Sequence, residues 1–268
     1  MRKNTPTPTL TDKNFAKRDT SYASLWLYNK LSDLNSVDLK DKFVNFYDEK
    51  ELMSEFNPNI AKNIISFWSN RKDLILDPFA GRTRALVAFA MDRRYIGYDI
   101  SKDTYQYIIN RFDELKLFGN PNFMVDIRNQ DCLTIKDDFK GECFDMVFSC
   151  PPYHNIEKYQ SCEGQLSDIK DYGVFLEELK KRLDIAVSVL KKGGYMCLVV
   201  GDFRKNGCYV TFHADLIRAM RSNPNITLHD VIVIQNIPFV TAAFYFGSKR
   251  KFKYTAKTHE YLLVWKRC

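Results

Sequence analysis

"LILDPFAGRTRALVAFAMDRRYIGYDI", residues 74–100, reads as strand, turn, helix and strand. "LILDPF" and "RYIGYDI" are short apolar runs with branched and aromatic residues, and "RTRALVAFAMDR" between them has helical spacing. Strands joined through a helix pair in parallel, and parallel sheets are covered on both faces. The turn "DPFAG" sets Gly81 at the mouth of the helix. There the backbone can approach a ligand, and orphan N–H groups favour an anionic one.

The alternation continues outward. "NIAKNIISFW" precedes it as an amphipathic helix, and "SKDTYQYIINRFDELKLFG" follows with Ser101 as N-cap and Gly119 as a stop. Then come strands "FMVDI" and "CFDMVF", helix "VFLEELKKRLDIAVSVLKKGG", strand "YMCLVVGD", helix "HADLIRAMRS", and strands "VIVIQNI" and "YLLVWKR". The predicted fold is α/β and Rossmann-like, with a seven-stranded, mostly parallel sheet. Its last two strands, separated by a basic loop without a helix, close as an antiparallel hairpin. Residues 1–45 are an N-terminal extension whose first stretch is polar and aperiodic, and 46–268 form the single domain.

The 268 residues suffice for one large core, and 45% are hydrophobic. A formal charge of +7 suits a polyanionic partner. Seven scattered cysteines without a CxxC pair read as reduced thiols, neither disulfides nor a zinc site. No run reaches the length of about 18 apolar residues that crosses a bilayer. No signal-peptide core is present, so the expected location is cytoplasmic, in a bacterial or phage-infected cell.

Ligands of such sheets bind beyond the carboxyl ends of the strands. The first strand is followed by Asp77, Phe79 and Gly81. The second delivers Asp99 at about the 20-residue spacing at which an acid accepts ribose hydroxyls. The third delivers Asp131, placed for an adenine amine, and the fourth ends in "SCPPY". Singly, Asp77 is a turn brace, Asp99 a helix start, Asp131 a polar turn and Tyr153 a packing ring. Their order at successive strand ends points to a nucleoside-shaped ligand.

"DPFAG" followed by "CPPY" resembles the amino-methyltransferases, which methylate exocyclic nitrogens of bases, especially adenine N6 and cytosine N4 in DNA. "FNPNIAKNII" before the first strand and "KTHEYLLVWKR" at the end are similar to that family too, and "GDFRKNGCY" resembles small phage-type members. The resemblance implies S-adenosylmethionine as cofactor, held by Phe56 or Pro58 with Asp77, Phe79, Gly81, Asp99 and Asp131. It implies methyl transfer at Cys150, Pro151, Pro152 and Tyr153, the ring stacking on a base flipped from the duplex. Cys150 departs from the family's Asp, Asn or Ser, and a thiol is a weak acceptor. Three readings stay open: a serine-like residue, an inactive member, or a covalent nucleophile as in the cytosine C5 enzymes. The last places its cysteine after a proline, unlike this chain. Likeness in shape to serine favours cytosine N4, with adenine N6 open.

The loop "GSKRKFKYTAK" sets Lys249, Arg250, Lys251, Lys253 and Lys257 among aromatic residues, and Arg204 follows another strand. Beside a base-modifying cleft these suit phosphates, although a basic loop alone is more often a solvated tip. No separate recognition domain of a hundred residues is expected, so target choice falls to 154–173, 203–213, 237–257, the N-terminal 45 residues or a second subunit. The expected partner is DNA, as for site-specific phage or restriction–modification enzymes, and the chain is a monomer or homodimer. Alternatives are an RNA base N-methyltransferase and an inactive nucleic-acid-binding module of the same fold.

Overall fold

The structure is a computed structural model that describes residues 25–27, 56–154 except 116, 119, 121 and 123, residue 156, 161–235, 253 and 257–268. The strands are β1 (Leu25–Leu27), β2 (Leu74–Asp77), β3 (Arg94–Tyr98), β4 (Val125–Arg128), β5 (Phe144–Ser149), β6 (Leu190–Val200), β7 (Phe203–Lys205), β8 (Cys208–Val210), β9 (Ile226–Gln235) and β10 (His259–Arg267). The helices are α1 (Pro58–Trp68), α2 (Arg84–Ala90), α3 (Lys102–Glu114), α4 (Ile135–Asp138), α5 (Tyr172–Val189) and α6 (Phe212–Met220). Asn57 caps α1 through the amide of Asn59, with Pro58 in the first turn, where its missing N–H costs nothing. Ser101 caps α3 and Asp171 caps α5 in the same manner.

The main sheet runs β1-β9-β10-β6-β5-β2-β3-β4. β4, β3, β2, β5 and β6 are parallel neighbours, and β10 lies antiparallel to both β6 and β9. This is the anticipated sheet with its antiparallel C-terminal pair. The short β1, inside the stretch read as an extension, pairs in parallel with β9 as an added eighth strand. Period-two alternation sends neighbouring strand residues to opposite faces. Ile75, Met146, Phe148, Cys197 and Val264 pack with α1, α2 and α3, whereas Leu76, Val147, Leu198 and Trp265 pack with α4, α5 and α6. Among the described residues no helix is long and apolar enough to cross a membrane.

Two local readings change. The helix expected through Gly194 stops at Val189, because Leu190 turns extended and pairs with Phe144, so that "LKKGG" opens β6. "FRKNGCYV" folds into the β7–β8 hairpin, with Asn206 and Gly207 both at positive φ (50° and 82°) as a two-residue turn requires.

After β4 the chain returns to lay β5 on the other side of β2, so the strand order reverses between β2 and β5. That reversal opens the crevice in which such folds bind ligands. Asp77 at the end of β2 closes its floor and is wholly buried. Its carboxylate accepts from Ser149 Oγ at 2.5 Å, Tyr95 Oη at 2.7 Å, Arg84 Nε at 2.5 Å and the Phe79 amide at 3.1 Å. Burial opposes the Arg84 charge, but Asp77 more than offsets this and holds the guanidinium protonated. Removing one partner of a buried pair strands the other charge. Asp77→Ala is expected to lower stability by about 3–5 kcal/mol in urea unfolding, and Arg84→Met in the same chain to restore part of it.

Candidate active site

Gly81, at φ +56°, turns its amide towards Asp99 Oδ2 at 3.2 Å. The Ser101 amide donates to Asp99 Oδ1 at 2.9 Å, and Asn129 Nδ2 to the Asp99 carbonyl at 2.9 Å. Partial burial raises the Asp99 pKa, and the Ser101 and Gly81 amides pull against that rise. Two backbone donors thus fix the carboxylate at the end of β3, an acceptor pair that fits a ribose diol. Arg84 links this group to the start of α1. Its guanidinium carbon lies 5.1 Å from the Phe56 ring centroid, its Nη2 donates to the Phe79 carbonyl, and a Cβ on Gly81 would meet it at 3.5 Å. Phe56 packs edge-on against Phe148 at 5.7 Å, and Pro58 is buried in the first turn of α1. Phe56, Phe79, Gly81 and Asp99 are therefore brought together, and a nucleoside with a charged tail fits the chemistry of this set.

Asp77 and Asp131 are engaged differently. Asp77 faces inward as the brace already described. Asp131 Oδ1 accepts from the Leu133 amide at 3.0 Å and Oδ2 from Arg182 Nη2 at 2.7 Å, with Gly164 against it. Sequence spacing found Asp131 but not Arg182, which is itself buried in α5.

Across the crevice, Ser149 and Cys150 point opposite ways along the extended chain, Ser149 to Asp77 and Cys150 towards Tyr153. Pro151 and Pro152 carry the chain past the end of β5 without donors. Tyr153 Oη donates to Glu260 Oε1 at 2.9 Å and lies 3.5 Å from Cys150 Sγ. Burial, then the neighbouring Cys150 and Glu260, hold the phenol well above its ordinary pKa. The ring is edge-on to Phe212, with Lys257 Nζ 5.8 Å from its centroid.

His154 follows in the left-handed region at φ +54°, fully buried among Tyr172, Phe175 and Phe203. Its Nδ1 lies 3.5 Å from Lys205 Nζ. Asp202, at the end of β6, holds His213 Nδ1 at 2.7 Å and Tyr209 Oη at 3.2 Å, and His213 stacks on Tyr261 at 3.8 Å. Arg204 is exposed and rests over the Tyr209 ring at 5.0 Å, and Lys253 is exposed. Lys249, Arg250 and Lys251 lie outside the described residues. Sequence reading missed Arg84 and Glu260, and it took Lys257 as a phosphate cation of the basic loop, whereas its Nζ donates to the Asp202 carbonyl beside Tyr153. Arg84 and Glu260 sit in or beside recognised motifs, but only three-dimensional proximity assigns their partners.

A family model described as DNA methylase matches residues 3–111 and 144–267. No curated protein matches the chain. Among solved structures it is similar to TrmN from Thermus thermophilus, with TM-score 0.53 and 14% identity over 81% of this chain and 51% of that one. A SAM-dependent O-methyltransferase from Thermotoga maritima gives TM-score 0.50 and 14% identity over 87% and 72%. Geranyl diphosphate C-methyltransferase from Streptomyces coelicolor, solved with S-adenosyl-L-homocysteine, gives 0.52 and 14% over 78% and 80%. The chain spans about half the length of TrmN. These likenesses establish the Rossmann-like methyltransferase fold.

The His154 imidazole is held below the ordinary value of 6.5, first by burial and then by the Lys205 ammonium. As pH falls from that value, the unfolded chain binds a proton that the folded chain refuses, so stability is present above the window and lost within it. His154→Asn tolerates the left-handed backbone and does not titrate. Its urea midpoint is expected to decline less than that of the wild type between pH 6.5 and the lower folded value.

Proposed function

The chain belongs to the DNA methylase family, whose members use S-adenosylmethionine, and on that premise we propose that it methylates the exocyclic amine of a flipped base in DNA, cytosine N4 or adenine N6. One observation carries the reading. Cys150–Tyr153 at the end of β5 stand across the strand reversal from Gly81 and Asp99, and the Ser149–Asp77 bond joins the two halves. When bound, the cofactor supplies an electrophilic methyl group. Phe56, Phe79 and Gly81 line its place, and Asp99 takes the ribose hydroxyls.

An aromatic amine is a poor nucleophile because its lone pair is delocalised into the ring. Acceptors on both N–H groups let the nitrogen pyramidalise and aim that pair. Here the Pro151 carbonyl and Cys150 Sγ take these roles, while Tyr153 stacks on the base. Catalysis is then mostly positioning and electrostatics. Arg204, Lys253 and the basic loop at 249–251 contact phosphates, and the β7–β8 hairpin and neighbouring loops choose the target. An inactive nucleic-acid-binding module is the second reading, favoured by the thiol at Cys150.

Transfer of labelled methyl to unmethylated DNA, with RNA in parallel and nucleosides identified by mass spectrometry, tests this. Label in N4-methylcytosine or N6-methyladenine from DNA is the expected result. Label in RNA alone moves the substrate, and none, with cofactor still bound in calorimetry, favours the module. Tyr153→Ala is expected to reduce kcat/KM by about tenfold to a hundredfold, the worth of one base–aromatic stack. Asp99→Ala is expected to weaken cofactor binding by about tenfold in calorimetry, with the fold intact by circular dichroism.

A further inference from the structure

Cys150, Tyr153 and Glu260 form a chain with a fixed direction. The Tyr153 phenol has one hydrogen, and it goes to Glu260 Oε1 at 2.9 Å. The contact at 3.5 Å between Tyr153 Oη and Cys150 Sγ therefore has the thiol as donor. β10 brings Glu260 to the crevice from far along the sequence, and Gly201 at the end of β6 leaves room for it. A Cβ on Gly201 would lie 2.5 Å from Lys257 Nζ, 3.2 Å from Tyr153 Cε2 and 3.6 Å from Glu260 Cγ. Lys257 in turn donates to the Asp202 carbonyl at 2.6 Å.

We infer that Glu260 is a positioning residue for Tyr153 and Cys150 and the final acceptor of the proton that the target amine sheds. This rests on the amine-methylation reading above. A nitrogen that gains a methyl group becomes cationic and must lose one proton. A thiol accepts weakly, but this one passes its own hydrogen on. The N–H bond breaks with its electron pair left on nitrogen, and the proton joins the Cys150 sulfur. The thiol hydrogen moves to the Tyr153 oxygen, and the phenol hydrogen moves to the Glu260 carboxylate. Sulfur and phenol finish neutral, and Glu260 finishes protonated. Until then the carboxylate offsets positive charge growing on the amine. The relay lets a cysteine stand where the resembled family has an oxygen acceptor.

Glu260→Gln separates position from proton transfer, because the amide oxygen still accepts the phenol hydrogen but takes up no proton. Its kcat is expected to fall by about tenfold to a hundredfold with KM for DNA and cofactor within about twofold. Tyr153→Phe keeps the ring and is expected to fall similarly, and the double variant no further than the lower single. An unchanged kcat in E260Q, or losses that multiply in the double variant, overturns the relay. A second readout needs neither cofactor nor DNA: alkylation of Cys150 by iodoacetamide, followed on its own peptide. Removing the nearby negative charge is expected to speed it by about twofold or more. An unresponsive Cys150 overturns the chain whatever the activity. A wild type that methylates nothing, with Cys150 still responding to residue 260, retires the amine reading and leaves the chain standing.

Discussion

The Asp77 carboxylate is a charge removed entirely from water, a state tolerated only when donors replace the lost hydration. Its donors come from four segments: Phe79 in the turn, Arg84 in α2, Tyr95 in β3 and Ser149 in β5. In the order β3-β2-β5 the four meet at one carboxylate. The bonds therefore enforce the sheet order at its point of reversal and set the spacing of the two strand ends that face the ligand. Arg84 carries the constraint further, since the same guanidinium reaches the Phe79 carbonyl and the Phe56 ring.

The opposite wall is organised from a greater distance in sequence. β10 runs antiparallel between β6 and β9, so its first residues, not its last, arrive beside Tyr153. A parallel strand in that place would present its C-terminal end. The antiparallel direction of β10 is what gives the crevice Lys257 and Glu260 together with the tyrosine, beside Asp202 after β6 and His213 in α6.

Local pattern carried much of this. Strand and helix periodicity gave the parallel sheet and its antiparallel end, and "DPFAG", Asp99 and "CPPY" gave the crevice with both of its sides. Asp131 was legible as a strand-end acid, but its ion pair with Arg182 joins parts of the chain that no spacing rule connects. Glu260 was hidden for the same reason, being 107 residues from Tyr153. The early start of β6 was lost because "LKKGG" continues an apparently helical charge pattern, and its pairing with β5 overrides that propensity. The β7–β8 hairpin did carry a local signal, Asn206-Gly207, which suits a tight two-residue turn.

The inward use of Asp77 has an entropic consequence. Because the crevice is closed by bonds within the chain, its floor and the turn above it exist before any ligand arrives. A nucleoside that docks there need not order the backbone of that turn, so less of its contact energy is cancelled by lost conformational freedom.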